Sequence, residues 1–286
     1  MKKLLTATTA LALVCGAAAA EVTVGGDARF GLSYDSEADN QVSVHQRFRA
    51  KFSASGTTDG GLAFSGEANI NSESGAAADG VVSVSGAFGK LAFGALDAAD
   101  TLAGGIADVG IKGIGVDDVA EGGLRNYTDS GNLILYTQSF GSLNFGVSAS
   151  PGVTPEDGAD PSVSDDDTFA VGMNFTASGM KIGLGFDSEE TVSLGASYTT
   201  GQITASAYFA ERDGDDGAGV DVSYSMGATT VTLVAATNSA DVNGFGMGVS
   251  HDLGGGASLV AGFAQVPGAV AGEDKNGAEV GLTFAF

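Results

Sequence analysis

The sequence has little cysteine, proline or tryptophan: among 286 residues there are one Cys, four Pro and no Trp. A single thiol, Cys15, argues against a disulfide scaffold. Basic residues are also scarce, with 12 Lys and Arg against 35 Asp and Glu, so the formal charge is −23. We therefore expect no nucleic-acid partner, because phosphate binding needs clustered Lys and Arg.

Long apolar runs are also missing after the first 20 residues, which argues against transmembrane helices. Glycine is abundant instead, at 46 residues. A glycine in a helix interior costs about 1 kcal/mol relative to alanine, which argues against a helical bundle. Disorder is disfavoured too, because 43% of the residues are hydrophobic.

Residues 1–20 have the pattern of a secretory signal peptide. Two lysines precede a short apolar stretch at 4–14, and three alanines at 18–20 form a small-residue cleavage site. We expect cleavage near Ala20-Glu21 during export through the periplasm. The domain at 21–286 then has 266 residues, a charge of −25 and no cysteine.

Apolar and small or polar side chains alternate with a period of two from residue 22 to the last residue. The first rows are Val22, Val24, Phe30 and Leu32, then Val44, Phe48 and Phe52, and the final row is Val280, Leu282, Phe284 and Phe286. No strand has two apolar faces. This pattern predicts an all-β transmembrane antiparallel barrel, apolar toward lipid and small or polar toward a wet lumen. The barrel must close, because an open edge in lipid leaves backbone groups unpaired.

Sixteen strands are predicted, the even number expected of a bacterial single-chain barrel. They cover residues 22–34, 41–54, 61–71, 80–88, 90–95, 131–138, 141–150, 167–176, 179–187, 190–200, 202–211, 217–226, 228–237, 242–251, 256–265 and 277–286. Short turns alternate with longer acidic connections, which are predicted at 35–40, 72–79, 151–166, 212–216 and 269–276.

One connection is much longer than the others, at residues 96–130. A connection of this length in a compact domain usually has a function of its own. It contains Asp97, Asp100, Asp108, Asp117, Asp118 and Glu121, and its only cations are Lys112 and Arg125.

Cations gather on one face of the second predicted strand. Arg47, Arg49 and Lys51 share a parity opposite to that of Phe48 and Phe52. A charge on the lipid side would cost about 2–4 kcal/mol near the bilayer midplane, so these side chains should face the lumen. Arg29 takes the same side of the first strand. The alternative is a solvated face that only balances local charge.

Several stretches spread over the chain carry a family resemblance: Glu21-Val22 through Gly26-Asp27-Ala28-Arg29, Ser55-Gly56-Thr57-Thr58-Asp59-Gly60-Gly61-Leu62, Ser85-Gly86-Ala87-Phe88-Gly89-Lys90-Leu91, Tyr136-Thr137, Asp252-Leu253-Gly254-Gly255-Gly256-Ala257-Ser258 and the terminal Phe286. In these stretches the chain resembles the general diffusion porins of Gram-negative outer membranes, of the type found in alphaproteobacteria such as purple bacteria.

This resemblance implies a homotrimer of sixteen-stranded barrels in which one long loop folds into the pore. It also implies that wall cations face carboxylates of that loop across a constriction. The cations would be Arg29, Arg47, Arg49 and Lys51, and the carboxylates would come from Asp97, Asp100, Asp108, Asp117, Asp118 and Glu121. The resemblance further implies that Phe286 acts as an assembly signal for the barrel insertion machinery, and its carboxylate is expected to meet the Glu21 amine where the barrel closes.

Acidic runs offer a weaker candidate site. Asp165, Asp166 and Asp167 could hold a structural Ca²⁺, because hard cations prefer clustered carboxylates. The favoured interpretation is a hydrated loop, so we predict no cofactor and assign no metal site. Divalent ions could also bridge the loops to lipopolysaccharide headgroups.

The leading functional hypothesis is a water-filled channel for passive diffusion of small hydrophilic solutes and ions, with a mild preference for cations because the loops are acidic. The alternatives are a substrate-selective outer-membrane channel or a secreted acidic β-rich adhesin. An enzyme is not expected, because the sequence shows no constellation of nucleophile and base.

Overall fold

The computed structural model describes residues 21–73, 77–124, 133–151, 167–268 and 273–286, with sixteen antiparallel strands in one closed barrel. Each strand pairs with its sequence neighbours, and the first pairs with the last. The strands are β1 (Glu21–Asp35), β2 (Val42–Thr57), β3 (Ala63–Asn71), β4 (Ala77–Gly86), β5 (Gly89–Gly94), β6 (Leu133–Phe140), β7 (Leu143–Ser150), β8 (Thr168–Ala177), β9 (Met180–Asp187), β10 (Val192–Thr200), β11 (Ile203–Arg212), β12 (Asp215–Met226), β13 (Thr229–Asn238), β14 (Asn243–Gly254), β15 (Ala257–Pro267) and β16 (Asp274–Ala285). The predicted fold class is confirmed.

The predicted apolar rows face outward. Val44 is 77% exposed, and Phe48 and Phe52 beside it are also exposed. The alternate residues face inward, and many of them are buried and small or polar, as Ser148 and Asn174 are. This arrangement is opposite to that of a water-soluble sandwich and matches a barrel in lipid.

The long connection between β5 and β6 contains two short helical segments that the sequence analysis did not predict. A 3₁₀ turn covers Ala99–Ala103, and a single-turn helix α1 covers Asp117–Glu121. Within the described residues, no helix combines the length and the apolar character needed to cross a membrane. The predicted signal peptide at 1–20 lies outside these residues.

The acidic stretch at 212–216 was expected to be a longer connection, and this expectation was wrong. Arg212 pairs directly with Asp215, which leaves a two-residue turn. Asp213 and Gly214 both have positive φ, at 55° and 88°. Two such residues form the primed turn whose twist matches a hairpin, and Asp-Gly is a favoured sequence for it.

Barrel closure brings the last residue next to Gly26. The Gly26 N–H donates to the Phe286 oxygen at 2.8 Å, and the Phe286 N–H donates to the Gly26 oxygen at 3.1 Å. Glu21 lies five residues earlier on β1 and pairs with Ser55 of β2. The register therefore sets Phe286 against Gly26 and not against Glu21, where the sequence analysis expected it.

Phe286 also stabilises the seam between β16 and β1 through its ring, which stacks on Phe48 with centroids 5.6 Å apart. We expect Phe286→Ala to destabilise the folded barrel by about 1 kcal/mol, the usual value of an aromatic pair. Thermal unfolding in detergent, followed by circular dichroism, measures this change. Phe140→Ala, at an exposed position beside a turn, is the control. Equal melting temperatures for the two variants would contradict a role of Phe286 at the seam.

Candidate pore constriction

The long connection, called the inward loop below and described from Ala95 to Leu124, lies against the inner wall of the barrel. Glycines of the wall make this possible, because a Cβ at Gly172 would collide with the Ala99 carbonyl and a Cβ at Gly262 with the Gly110 backbone. The same close approach to the loop occurs at Gly31, Gly146, Gly183, Gly185, Gly195, Gly217, Gly219, Gly244, Gly246, Gly248, Gly277 and Gly281. The inward loop therefore packs directly against lumenal glycines, which have no side chain to keep it away from the wall.

Apolar packing holds the second half of the loop in place. Loop residues and wall residues share one buried cluster, in which Val116 and Ala120 are fully buried. The other members are Val109, Val119 and Leu124 from the loop, and Tyr208, Ala210, Val234, Ala236, Ala264 and Val266 from the wall. The loop is thus a packed element with a fixed position.

Hydrogen bonds fix the loop backbone at several points along its length. The Ala99 N–H donates to Ser148 Oγ at 2.9 Å, and the Asn174 side-chain amide donates to the Leu102 carbonyl at 3.3 Å. Further along, the Ala107 N–H donates to the buried Asp221 carboxylate at 3.3 Å. Side chains from β7, β8 and β12 therefore bind the loop directly.

The predicted wall cations do line the lumenal face of β1 and β2, and two of them hold one carboxylate between them. Arg47 Nη2 lies 2.6 Å from Asp27 Oδ1. Arg49 contacts Asp27 Oδ2 through Nη2 at 2.6 Å and Nε at 2.7 Å. Such charge-assisted contacts are the strong class of hydrogen bond. Asp27 therefore compensates part of the positive charge on this wall.

The other two wall cations have partners from further along the chain. Lys51 Nζ lies 2.6 Å from Glu67 Oε2 on β3. Arg29 Nη2 lies 3.3 Å from Glu73 Oε2, and Arg29 Nη1 donates to the Ile111 carbonyl of the inward loop at 3.1 Å. Arg29 thus connects the wall to the loop, through a backbone oxygen.

Two loop carboxylates bind backbone amides of the loop itself. Asp108 accepts from Val109 at 2.8 Å, Gly115 at 3.0 Å and Val116 at 3.3 Å. Glu121 accepts from the Ile106 N–H at 2.8 Å. These two carboxylates therefore stabilise the fold of the loop, a role that was not predicted from the sequence.

The remaining predicted carboxylates have different surroundings. Asp100 is buried at 4% exposure, whereas Asp97 and Asp118 are exposed. Asp117 is partly buried, and its burial together with the charges of Asp108, Asp118 and Glu121 raises its pKa to about 6. The loop therefore carries one carboxyl that titrates near neutral pH.

The ion pairs described above join the wall cations to Asp27, Glu67 and Glu73, none of which the sequence analysis assigned to the constriction. A signal for Asp27 was present, because it shares the parity of Arg29 on β1. Glu67 and Glu73 carry no such local signal, since their position depends on how β2 and β3 pair.

Most of the weaker candidate site lies outside the part of the chain that the structure describes. Asp165 and Asp166 lie outside the described residues, and Asp167 comes directly before β8. Within the described part of the chain, no group of three or more His, Cys, Asp or Glu side chains is arranged to hold a metal ion.

Comparisons with known proteins agree with this architecture. A family model described as Gram-negative porin matches residues 7–285. A porin of Rhodobacter capsulatus is 32% identical over 85% of this chain and 94% of its own length. A solved porin structure superposes with a TM-score of 0.75 at 28% identity, covering 93% of this chain and all of its own.

More distant structures share the fold. A mutant porin of Rhodopseudomonas blastica has a TM-score of 0.75 at 18% identity, and an anion-selective porin from Comamonas acidovorans has 0.70 at 19%. Both cover 93% of this chain and the whole of their own. The family model and the Rhodobacter capsulatus relative indicate a channel of the outer membrane that conducts by passive diffusion. The chain belongs to the Gram-negative porin family.

Proposed function

We propose that this porin is mildly cation-selective, and that its constriction lies between the β1–β2 wall and the inward loop. The observation that carries the proposal is that three carboxylates neutralise most of the charge of the four wall cations, while the described part of the inward loop adds six carboxylates and one lysine. Arg47 and Arg49 share Asp27, and Lys51 is matched by Glu67. The carboxylates of the loop add negative charge to the same lumen. A pore lined in this way concentrates cations.

Selectivity must come from these charges, because the barrel alone does not determine it. A porin of the same fold, from Comamonas acidovorans, is described as anion-selective. Arg29, Arg47, Arg49 and Lys51 on the wall and Asp97, Asp100, Asp108, Asp117, Asp118 and Glu121 on the loop are the residues we propose to set the field. Fields of this kind favour polar solutes over apolar ones.

Several further features are proposed on the basis of family membership. We infer that the protein is exported after cleavage near Ala20-Glu21, inserted by the barrel assembly machinery, and assembled as a homotrimer that contacts lipopolysaccharide. The mass of the mature chain and of its detergent complex tests the cleavage and the trimer. A structural Ca²⁺ at Asp165–Asp167 is left as a minor proposal, to be tested by calcium-dependent melting. Catalysis is not part of the proposed function.

The native channel should show ohmic single-channel steps in planar bilayers and a cation-selective reversal potential in a KCl gradient. The expected preference is severalfold at 0.1 M salt and smaller at 1 M, because the Debye length falls from about 10 Å to about 3 Å. An anion-selective reversal potential would refute the proposed selectivity, and absence of conductance would refute the channel.

Wall substitutions should move the reversal potential in opposite directions. Asp27→Asn removes the carboxylate between two guanidinium groups, so we expect a shift toward anions. The double variant Arg47→Ala with Arg49→Ala leaves Asp27 unopposed, so we expect a shift toward cations and a higher conductance.

The control for these wall variants is Lys181→Ala. Lys181 has lumenal parity on β9, next to the short turn at Ser178-Gly179. Because this cation lies away from the β1–β2 wall, we expect a smaller shift. If all three variants shift the reversal potential by the same magnitude, lumenal charges act on selectivity regardless of their position. The proposed constriction is then wrong.

Titration of Asp117 should make the selectivity depend on pH. Its pKa is raised to about 6, so the group is charged above that pH and gains a proton as the pH falls through it. Cation preference should therefore decrease between pH 7 and pH 5. Asp117→Asn should remove this step, whereas Asp241→Asn, in an exposed turn, should keep it. Reversal potentials measured between pH 7 and pH 5 test this prediction. If Asp117→Asn keeps the step, another group causes the pH dependence.

A further inference from the structure

The tip of the inward loop is held at Ile111 by two charged side chains of opposite sign. Arg29 Nη1 donates to the Ile111 carbonyl at 3.1 Å. On the other side of the residue, the Ile111 N–H donates to Glu279 Oε2 at 2.7 Å, and the Lys112 N–H donates to the same oxygen at 3.0 Å. One strand-borne carboxylate therefore binds two consecutive backbone amides of the tip.

Glu279 lies on β16, where it is 5% exposed. Its other oxygen, Oε1, accepts from Ser33 Oγ at 2.9 Å and lies 4.0 Å from Lys112 Nζ. Ser33 is its partner across the β1–β16 seam. Ser33 on the wall therefore orients the Glu279 carboxylate through Oε1, while Oε2 binds the loop. A carboxylate with several N–H and O–H donors makes contacts of the strong, charge-assisted class.

The tip approaches glycines of the wall closely. The Ile111 side chain sits over Gly31 and Gly281, where any Cβ would collide with it. Gly110 has φ +103°, and a Cβ there would meet the Glu279 carboxylate. Glycine is required at this position both by the backbone conformation and by the close approach of the carboxylate.

Other parts of the loop are fixed differently. The segment around α1 is covered by the apolar cluster with Val116 and Ala120, and the 3₁₀ turn rests on the glycines of β7 to β10. At residues 110–112, the loop reaches the wall through glycines, one isoleucine and the charged pair Arg29 and Glu279. Loss of one charged group should therefore release the tip and leave the rest of the loop docked.

We propose that Glu279 is the positioning residue that latches the tip of the inward loop to the β1–β16 seam and thereby sets the largest solute that the pore admits. The inference rests on the proposed constriction. The tip carries Lys112 and lies beside Arg29, so its position determines how much of the lumen in front of the wall cations stays open.

An engineered disulfide can hold the loop against β16 without the Glu279 carboxylate. A Cβ built on Gly277 of β16 would lie 3.8 Å from the Ile114 Cβ, which is the usual separation in a disulfide. The domain at 21–286 contains no cysteine, so the pair Ile114→Cys with Gly277→Cys would be its only thiols. The oxidised bond ties the tip to β16, and a reductant releases it after the channel has inserted.

The experiment compares the cysteine pair alone with the same pair carrying Glu279→Gln. Proteoliposome swelling gives the ratio of uptake of a trisaccharide, raffinose, to that of a pentose, arabinose. Planar bilayers give the open-channel current noise. Oxidised, both proteins should match the native channel. After reduction, we expect the ratio to rise at least twofold and the noise to increase with Glu279→Gln, while the pair alone stays unchanged.

The matched control is Glu211→Gln in the cysteine pair. Glu211 is exposed at the outer end of β11, and the substitution removes the same charge. Reduction should leave its ratio and noise unchanged. A merely structural loss would lower the melting temperature without a reductant-dependent change in the ratio.

Three results would overturn the proposal: no change on reduction of the Glu279→Gln channel, an equal change in the Glu211→Gln control, or no conductance from the oxidised Glu279→Gln protein. In the last case Glu279 would be needed to form the barrel and would not merely position the tip. Absence of conductance from the native protein would instead refute the channel itself, so the two failures are distinct.

Discussion

Pairing between β1 and β16 is the interaction on which the rest of the structure depends. In lipid an unpaired strand edge leaves N–H and C=O groups without partners, so the sheet is stable there only as a closed ring. Closure also assembles the lumen. Ser33 and Glu279 are 246 positions apart in sequence, and pairing at the seam brings Ser33 Oγ to 2.9 Å from Glu279 Oε1. The loop tip then docks on groups that closure has brought together.

Glycine has two separate uses in this barrel. In the turns it provides positive φ, as at Gly214 and Gly227. On the lumenal wall it removes a Cβ so that the inward loop can approach the strands at backbone distance, as at Gly172 and Gly262. The second use explains why the glycine content is so high, and why a loop with many small residues fills part of the lumen without forcing the strands apart.

The strands could be predicted from the sequence because lipid on one side and water on the other impose a period of two on every strand. Lumenal parity for Arg47 and Arg49 follows from the same rule. The partners of Lys51 and Arg29 could not be predicted, because Glu67 is brought near by strand register and Glu73 by the connection after β3. The loop carboxylates were also beyond sequence reasoning: Asp108 binds three amides of its own loop, which depends on a local fold that no periodic pattern encodes.

The strand order has a consequence for the way the chain reaches its final state. Every pairing joins sequence neighbours except the one between the first strand and the last. Hairpins can therefore form one after another as local events with small loop-closure entropy, and only the seam requires the two ends of the chain to meet. The seam carries the largest loop-closure cost of the sixteen strand pairings, so we expect it to form last, when Phe286 meets Gly26.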